Sequence, residues 1–134
     1  MKKVFLGGTC NESKWREAII AFLKIKYFNP VVEDWTPSCQ EEEIKQRDTC
    51  DYCLYVLTPR MKGVYSIAEV IDDSNKRPGK TIFCYLTHDF GDDKDFVWFD
   101  KAQIKSIEQV GKMVEKNGGK FFKDLNLIVE YLNS

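Results

Sequence analysis

The sequence has little of several features that would mark a specialised class of protein. It contains a single histidine and four prolines, and its formal net charge is −1 at pH 7. This balance of charge provides no positive surface for a nucleic-acid backbone. The longest apolar runs are too short to cross a membrane, and the N-terminal MKKVFLGG has too short an apolar segment for a signal peptide. We therefore expect a cytoplasmic protein that contacts neither membranes nor polymeric nucleic acid.

Motifs that would hold a metal or a common cofactor are also missing. The turn FLGGTCN, residues 5–11, matches neither the G-x-G-x-x-G pattern nor a P-loop. Five cysteines include one C-x-x-C pair, Cys50 and Cys53, without the second pair or the histidines that complete a zinc site. Buried thiols are the favoured interpretation, with redox or metal chemistry as the alternative. We expect no cofactor and no metal.

The chain does contain an alternation of short apolar runs and segments with helical periodicity. Strands are predicted at residues 3–6, 30–32, 52–57 and 81–86, and helices at 14–26, at 38–47, from residue 64, and around 104–114 and 121–132. The second helix begins with a capping-box pattern, Ser38 and Glu41. Residues 52–57 are apolar almost throughout, which predicts a central strand. We predict one domain over residues 1–134, a small doubly wound α/β sandwich of the flavodoxin-like or Rossmann-like kind. Its parallel sheet would have four to five strands, with helices on both faces.

Such sheets bind ligands beyond the carboxyl ends of their strands, where the strand order reverses. This rule gathers residues 7–11, 34–37 and 58–63 and the polar loop after residue 86, HDFGDDKD, around one pocket. It also places Glu69, near the start of a helix, beside that pocket.

Two interpretations of Glu69 are open from the stretch GVYSIAEVIDD, residues 63–73. Ser66 and Glu69 have the spacing of a capping box, in which Glu69 would bond a backbone N–H of the first turn. The alternative is a functional carboxylate, stabilised as an anion by the positive end of the helix dipole. Both can hold only if the side chain turns away from Ser66. An apolar face at helical spacing is predicted to pack on the sheet: Val64, Ile67, Ala68 and Ile71.

Five stretches resemble the nucleoside 2-deoxyribosyltransferase family: FLGGTCN, PVVEDWTPS, CDYCLYVLTP, GVYSIAEV and KTIFCYL. The resemblance covers roughly residues 3–86 and fades over the rest of the chain. In that family a helix-borne glutamate attacks the anomeric carbon of a 2-deoxyribonucleoside, the base leaves, and a second base takes the sugar. The resemblance implies a single domain of this family that transfers or hydrolyses the 2-deoxyribosyl group of nucleosides or nucleotides.

The resemblance implies Glu69 as the nucleophile and Asp51 as the carboxylate that handles the proton on the departing base. The structural alternative for Asp51 is a surface carboxylate just before a strand. His88 is expected in a solvent-exposed loop, although its near-neutral pKa would suit a proton shuttle. The charge run at residues 41–43 is interpreted as a solvated helix face.

The resemblance further implies a set of substrate-binding residues. Gly7 and Gly8 would lie against the sugar or its 5′ substituent, Trp35 and Pro37 would shape the base pocket, and Ser66 would face the substrate. The alternatives are a merely tight turn for the two glycines and a core position for Trp35.

One departure from the family pattern concerns the sugar. Family members often carry an aspartate about two turns before the nucleophile, where this chain has Arg60-Met61-Lys62-Gly63. Arg60 or Lys62 would favour a phosphate-bearing ligand. A rival to the enzyme is a non-catalytic module that senses a nucleotide on the same fold. A receiver-type regulator is a further alternative, but the acidic cluster it needs after the first strand is missing.

Self-association is a further expectation, because relatives in this family complete their pockets with residues of a neighbouring subunit. Residues 96–99, with Phe121 and Phe122, offer more aromatic surface than so small a sheet readily covers. We expect a homo-oligomer whose other partner is a small nucleoside or nucleotide.

Overall fold

The computed structural model describes residues 1–10, 12–90 and 95–134. Its elements, in chain order, are β1 Lys3–Gly8, α1 Trp15–Ile20, β2 Lys26–Phe28, α2 Pro37–Thr49, β3 Tyr52–Leu57, α3 Tyr65–Lys76, β4 Thr81–Tyr85, β5 His88–Phe90, β6 Phe96–Trp98, α4 Lys101–Lys116, β7 Lys120–Phe122 and α5 Leu125–Asn133. A short 3-10 helix, Pro78–Lys80, joins α3 to β4.

The main sheet has five parallel strands in the order β2-β1-β3-β4-β7. The strand predicted from residues 52–57 is its centre, and the predicted doubly wound α/β fold is confirmed. Strand order reverses between β1 and β3, because β2 lies on one side of β1 and the later strands of this sheet, β3, β4 and β7, lie on the other. Strands β5 and β6 pair with each other in a separate antiparallel sheet. The point of reversal is the place where a doubly wound sheet opens a crevice for a ligand.

Alternate residues of the strands point to two separate cores. Phe5, Tyr55 and Phe83 belong to the core beneath α3 and α4. On the opposite face, Leu6 and Leu54 belong to the core that α1 and α5 cover. Burial on both faces explains why the central strands are apolar throughout rather than alternating.

The predicted second strand is wrong in position. The strand forms at Lys26–Phe28, in register with the start of β1, and the Phe28 ring stacks on Phe5 at 5.9 Å between centroids. Val31 and Val32 lie after it, about half exposed. The first helix is also shorter than predicted, since it ends at Ile20 and not at residue 26. Pairing with β1 and stacking on Phe5 therefore decide where the second strand forms, and the apolar β-branched residues Val31 and Val32 do not.

The predicted inner face of α3 is correct for two of its four residues. Val64 is 66% exposed and Ala68 is exposed, whereas Ile67 and Ile71 only border the core. The fully buried residues of this helix are Val70, Asp73 and Ser74. The helix is rotated because a buried polar cluster around Asp73, described below, occupies the position nearest the sheet.

The C-terminal helices are confirmed at Lys101–Lys116 and Leu125–Asn133. Phe121, however, belongs to β7, the last strand of the main sheet, and not to a helix. His88 is exposed as expected, yet it lies in strand β5, which pairs with β6, and its ring is 4.6 Å from that of Trp98. Residues 91–94 of the expected polar loop, like Asn11 of the glycine turn, lie outside the described residues.

The aromatic surface is smaller than the sequence suggested. Phe99 is buried, and Phe121 and Phe122 pack against the two cores. Phe96 and Trp98 remain mostly exposed. Self-association stays a prediction, which light scattering at high protein concentration tests, and a strict monomer would contradict it.

Candidate active site

A cavity of about 260 Å³ opens at the carboxyl ends of the strands, where the strand order reverses. It is bounded by the end of β1, the segment after β2, and helices α1, α2 and α3. Its lining residues are Phe5, Gly7, Gly8, Cys10, Arg16, Pro30, Val31, Val32, Trp35, Glu43, Ser66 and Glu69. Five of the seven site residues expected from the sequence therefore meet in one pocket: Gly7, Gly8, Trp35, Ser66 and Glu69.

Glu69 does not cap its helix. Helix α3 begins at Tyr65 after an N-cap residue, Val64, that has no side chain able to cap, and no side-chain capping bond forms. Ser66 is thus already inside the first turn and cannot be the first member of a capping box. The Glu69 side chain instead lines the pocket, where it is 14% exposed.

Arg47 of α2 is the cation beside this carboxylate. Its Nη1 lies 3.6 Å from Oε2 of Glu69, and both side chains are largely buried. The guanidinium also bonds Asp73, which has no exposed side-chain surface. Burial would lower the pKa of Arg47, but its bond to Asp73 and the negative charges around it raise that pKa, so the side chain remains a cation.

The pKa of Glu69 is raised to about 7. Burial is the largest cause, and the negative charges of Glu43 and Asp73 add to it, while Arg47 acts in the opposite direction. A carboxylate of this kind changes its charge near neutral pH, which is typical of residues that do chemistry.

Glu43 is a site residue that sequence reasoning missed. The sequence pattern predicts a solvated face for the run at residues 41–43, but Glu43 lines the pocket from α2. Burial raises its pKa, and Arg47 partly offsets the effect. Helical spacing was the available signal, because Glu43 and Arg47 are four residues apart and therefore share a helix face, while Glu41 and Glu42 are exposed.

Asp51 does not reach the pocket. It precedes β3, so it lies at the amino edge of the sheet, and its Oδ2 accepts a 2.8 Å hydrogen bond from the backbone N–H of Lys3. Its own N–H donates to the Lys3 carbonyl. These two bonds join the starts of β1 and β3, so Asp51 stabilises the pairing of the two strands. The expected role of Asp51 in protonating the base does not fit this position.

Pro37 lies beside the pocket region but does not line it. It is the first residue of α2, and Thr36 is the N-cap, whose Oγ1 accepts from the N–H of Cys39 at 3.4 Å. The predicted capping box at Ser38 and Glu41 is therefore wrong, because the N-cap lies two residues earlier, at Thr36. Proline suits this first position because its missing N–H would have no helical partner there.

Trp35 stands at the open rim of the pocket with 57% of its surface exposed, so the alternative of a core position is excluded. Together with Pro30, Val31 and Val32 it forms an apolar wall. A flat, apolar and partly open wall can receive a planar ring by stacking.

Both glycines are required by packing as well as by their place in the wall. A Cβ on Gly7 would lie 2.6 Å from the Tyr55 ring. Gly8 has φ +113°, and a Cβ there would lie 2.1 Å from the carbonyl oxygen of Val56. The glycine turn thus allows β1 and β3 to approach closely at the floor of the pocket.

Arg16 is a second residue that sequence reasoning missed. It is almost fully buried, and it donates to the carbonyl oxygens of Leu6, Gly8 and Thr9. Burial lowers its pKa to about 10. These bonds tie α1 to the end of β1 and fix the backbone on which Gly7 and Gly8 line the pocket.

The residues expected to favour a phosphate lie outside this pocket. Arg60 donates to the carbonyl of Asp95 and pairs with Glu12 at 3.9 Å. Lys62 lines an adjoining cavity of about 180 Å³, which shares Gly8, Cys10 and Ser66 with the pocket. A lysine therefore lines the cavity on the other side of these shared residues.

Three of the five cysteines lie in the interior. Cys50, Cys53 and Cys84 are buried, and burial raises the pKa of Cys53 and of Cys84 to about 12. Across the part of the chain that the structure describes, no cluster of His, Cys, Asp or Glu side chains could hold a metal ion. Within those same residues, no helix is long and apolar enough to pass through a membrane.

Comparison with known proteins identifies the family of the chain. The family model described as nucleoside 2-deoxyribosyltransferase like matches residues 1–88, which hold β1 to β4 and every residue of the pocket. A search of curated proteins finds no match to the chain. Since the matched segment is more than half of the 134 residues, the chain belongs to the nucleoside 2-deoxyribosyltransferase-like family.

Proposed function

We propose that this protein cleaves the N-glycosidic bond of 2-deoxyribonucleosides or their nucleotides and transfers the 2-deoxyribosyl group to a second base or to water. The observation that carries the proposal is the position of the Glu69 carboxylate. It lines the pocket at the point where the strand order reverses, beside the cation of Arg47. A second carboxylate, Glu43, lines the same pocket. Nucleophilic carboxylate catalysis of glycosyl transfer needs such a pair, one group to attack and one to manage the proton.

In the first step an ionised Glu69 oxygen attacks C1′ of the sugar. The bond between C1′ and the base nitrogen breaks, and its electron pair leaves with the base. Glu43 supplies the proton that neutralises the departing base, so the products of the step are a glycosyl ester on Glu69 and a free base. We assign this proton to Glu43 instead of Asp51 because Asp51 lies at the other edge of the sheet.

In the second step a nitrogen of the acceptor base, or a water molecule, attacks C1′ of the ester. The C1′–O bond breaks and Glu69 regains its negative charge, while the proton of the acceptor passes to Glu43. A base as acceptor gives a new nucleoside, and water gives free 2-deoxyribose or its phosphate. The apolar wall at Trp35 would hold either base by stacking.

The test is to incubate the protein with each 2′-deoxynucleoside and 5′-monophosphate, with and without an acceptor base, and to separate the products. Glu69→Gln should lower base release by at least about a thousandfold while binding largely survives, because the covalent nucleophile is lost. Glu115→Gln, which changes an exposed carboxylate on α4, is the matched control and should keep full activity.

Intact-mass measurement of a quenched reaction should show a deoxyribosyl adduct on the wild-type protein and none on Glu69→Gln. A wild-type protein that binds a nucleotide tightly but never releases a base would contradict the enzyme. It would support the alternative function, a module that senses nucleotides without turning them over.

A further inference from the structure

Arg47 has a polar partner on each side of its guanidinium. Its Nε and Nη2 donate to the two carboxylate oxygens of Asp73, at 3.2 and 2.8 Å, and Nη2 also reaches Asp72 at 3.1 Å. Nη1 is the nitrogen left for Glu69, at 3.6 Å. The planar fork of an arginine fixes the direction of its third nitrogen once the other two are bound.

Asp73, which binds two nitrogens of Arg47, is also held by two other side chains. Asp73 accepts a 2.5 Å hydrogen bond from the Tyr55 hydroxyl on the central strand, and Arg77 pairs with its other oxygen at 3.2 Å. Asp73 is fully buried, so this carboxylate has no freedom to exchange its partners for water. The arrangement runs from β3 through Asp73 of α3 to Arg47 of α2, and ends at the pocket.

We propose that Arg47 is a positioning residue, which the buried Tyr55–Asp73 pair orients so that it holds the Glu69 carboxylate in place and favours its negatively charged form for attack. The role of Glu69 in attack rests on the proposed function, but the contact between Arg47 and Glu69 can be tested without any substrate.

The charges around Glu69 explain why this cation matters. Glu43 from α2 and Asp73 from its own helix are both acidic, and both raise the pKa of Glu69 in addition to its burial. Arg47 is the neighbour that lowers this pKa. Arg16 of α1 and Cys10 also line the pocket, but the three carbonyl bonds of Arg16 direct its guanidinium to the backbone of β1 and the turn after it.

The decisive experiment follows the side-chain carboxyl signal of Glu69 by ¹³C NMR during a pH titration. The signal is assigned by its disappearance in Glu69→Gln. In Arg47→Gln the midpoint should rise by at least about one pH unit, the usual effect of losing an adjacent opposite charge. Arg77→Gln is the matched control, since it removes a different partner of Asp73 and should leave the midpoint within about 0.3 unit.

Equal shifts in Arg47→Gln and Arg77→Gln, or no shift in either, would overturn the proposal. Should Arg47→Gln fail to fold because Asp73 is left with a buried charge, Arg47→Gln with Asp73→Asn removes both charges. Its midpoint is then compared with that of Asp73→Asn alone, and the same upward difference is expected.

Activity provides a separate measurement. In Arg47→Gln the pH optimum of base release should move upward with the midpoint, and kcat should fall more than KM rises. Arg47→Lys should recover part of kcat, because it returns the charge without the fork. If the wild type releases no base, the proposed function fails, while the NMR titration still decides whether Arg47 controls Glu69.

Discussion

The carboxylates of Glu43 and Glu69 line one pocket although they come from different helices, and the charge of Glu43 raises the pKa of Glu69. Helix α2 precedes the central strand and α3 follows it, so the two side chains meet only once the parallel sheet has formed. Two carboxylates that share a buried site give up their protons in two steps that belong to the pair. Such a pair can supply an acid and a nucleophile at the same pH.

Glu43→Gln should slow departure of the base by about 100-fold or more, since loss of a general acid typically costs that much. Binding of the nucleoside should change little, because glutamine keeps the shape of the side chain. Glu41→Gln is the matched control on the exposed face of the same helix and should have wild-type kinetics. A substrate with a leaving group that needs no proton should be cleaved almost normally by Glu43→Gln, and a large loss with that substrate would contradict the assignment.

The pH dependence of kcat/KM should be bell-shaped. The reactive form is the one in which Glu43 holds the single proton of the pair and Glu69 is ionised. Activity should therefore fall in acid, where both carboxylates are protonated, and fall again as pH rises through about 7, the pKa of Glu69, above which the pair holds no proton. Steady-state rates from about pH 4 to pH 9 measure both limbs. A rate that stays constant from pH 6 to pH 9 would show that the pair does not control turnover.

Asp51→Asn should leave base release unchanged and lower stability. The carboxylate accepts from the backbone N–H of Lys3 at the far edge of the sheet. Asparagine keeps an acceptor oxygen there but loses the charge, so the expected loss at this exposed site is about 0.5–1 kcal/mol. Urea denaturation measures the loss, and product analysis measures turnover. A variant with normal stability and greatly reduced turnover would return Asp51 to the catalytic machinery.

The positions of Asp51 and Glu43 show how far the sequence leads. The doubly wound sheet, its central strand and the place of Glu69 at the switch point follow from apolar runs and one general rule of α/β folds. The same rule, applied to the strand predicted at residues 52–57, puts Asp51 at the opposite edge of the sheet, so the family resemblance alone led to its expected catalytic role. Asp51 lies one residue before β3, and this places it at the amino edge.

Glu43 and Arg47 were missed for a related reason. Helix α2 is polar on nearly every side, so its periodicity does not reveal which face turns inward. Spacing shows that Glu43 and Arg47 share a face, and the bond from Arg47 to Asp73 in the structure shows that this face turns inward. Buried polar networks are the part of a fold that apolar patterning describes least well, and here they also rotate α3 away from the face that its apolar residues predict.

Glu69→Gln should stabilise the protein at neutral pH, at the expense of its proposed activity. The pKa of Glu69 is about 7 in the folded protein, above the ordinary value of 4.5, so between these two pH values the folded state binds more protons than the unfolded state. The contribution of Glu69 to stability must therefore fall as pH rises from about 4.5 to 7, and the ionised Glu69 costs up to about 3 kcal/mol above that window. Glutamine has no proton to lose, so urea denaturation at pH 5 and pH 8 should show a smaller difference in unfolding free energy for Glu69→Gln than for the wild type.

Glu41→Gln, at an exposed position, should keep the wild-type difference. The same pH difference in Glu69→Gln and in the wild type would mean that burial does not penalise the charge of Glu69, and the neutral-pH limb expected for catalysis would then need another residue.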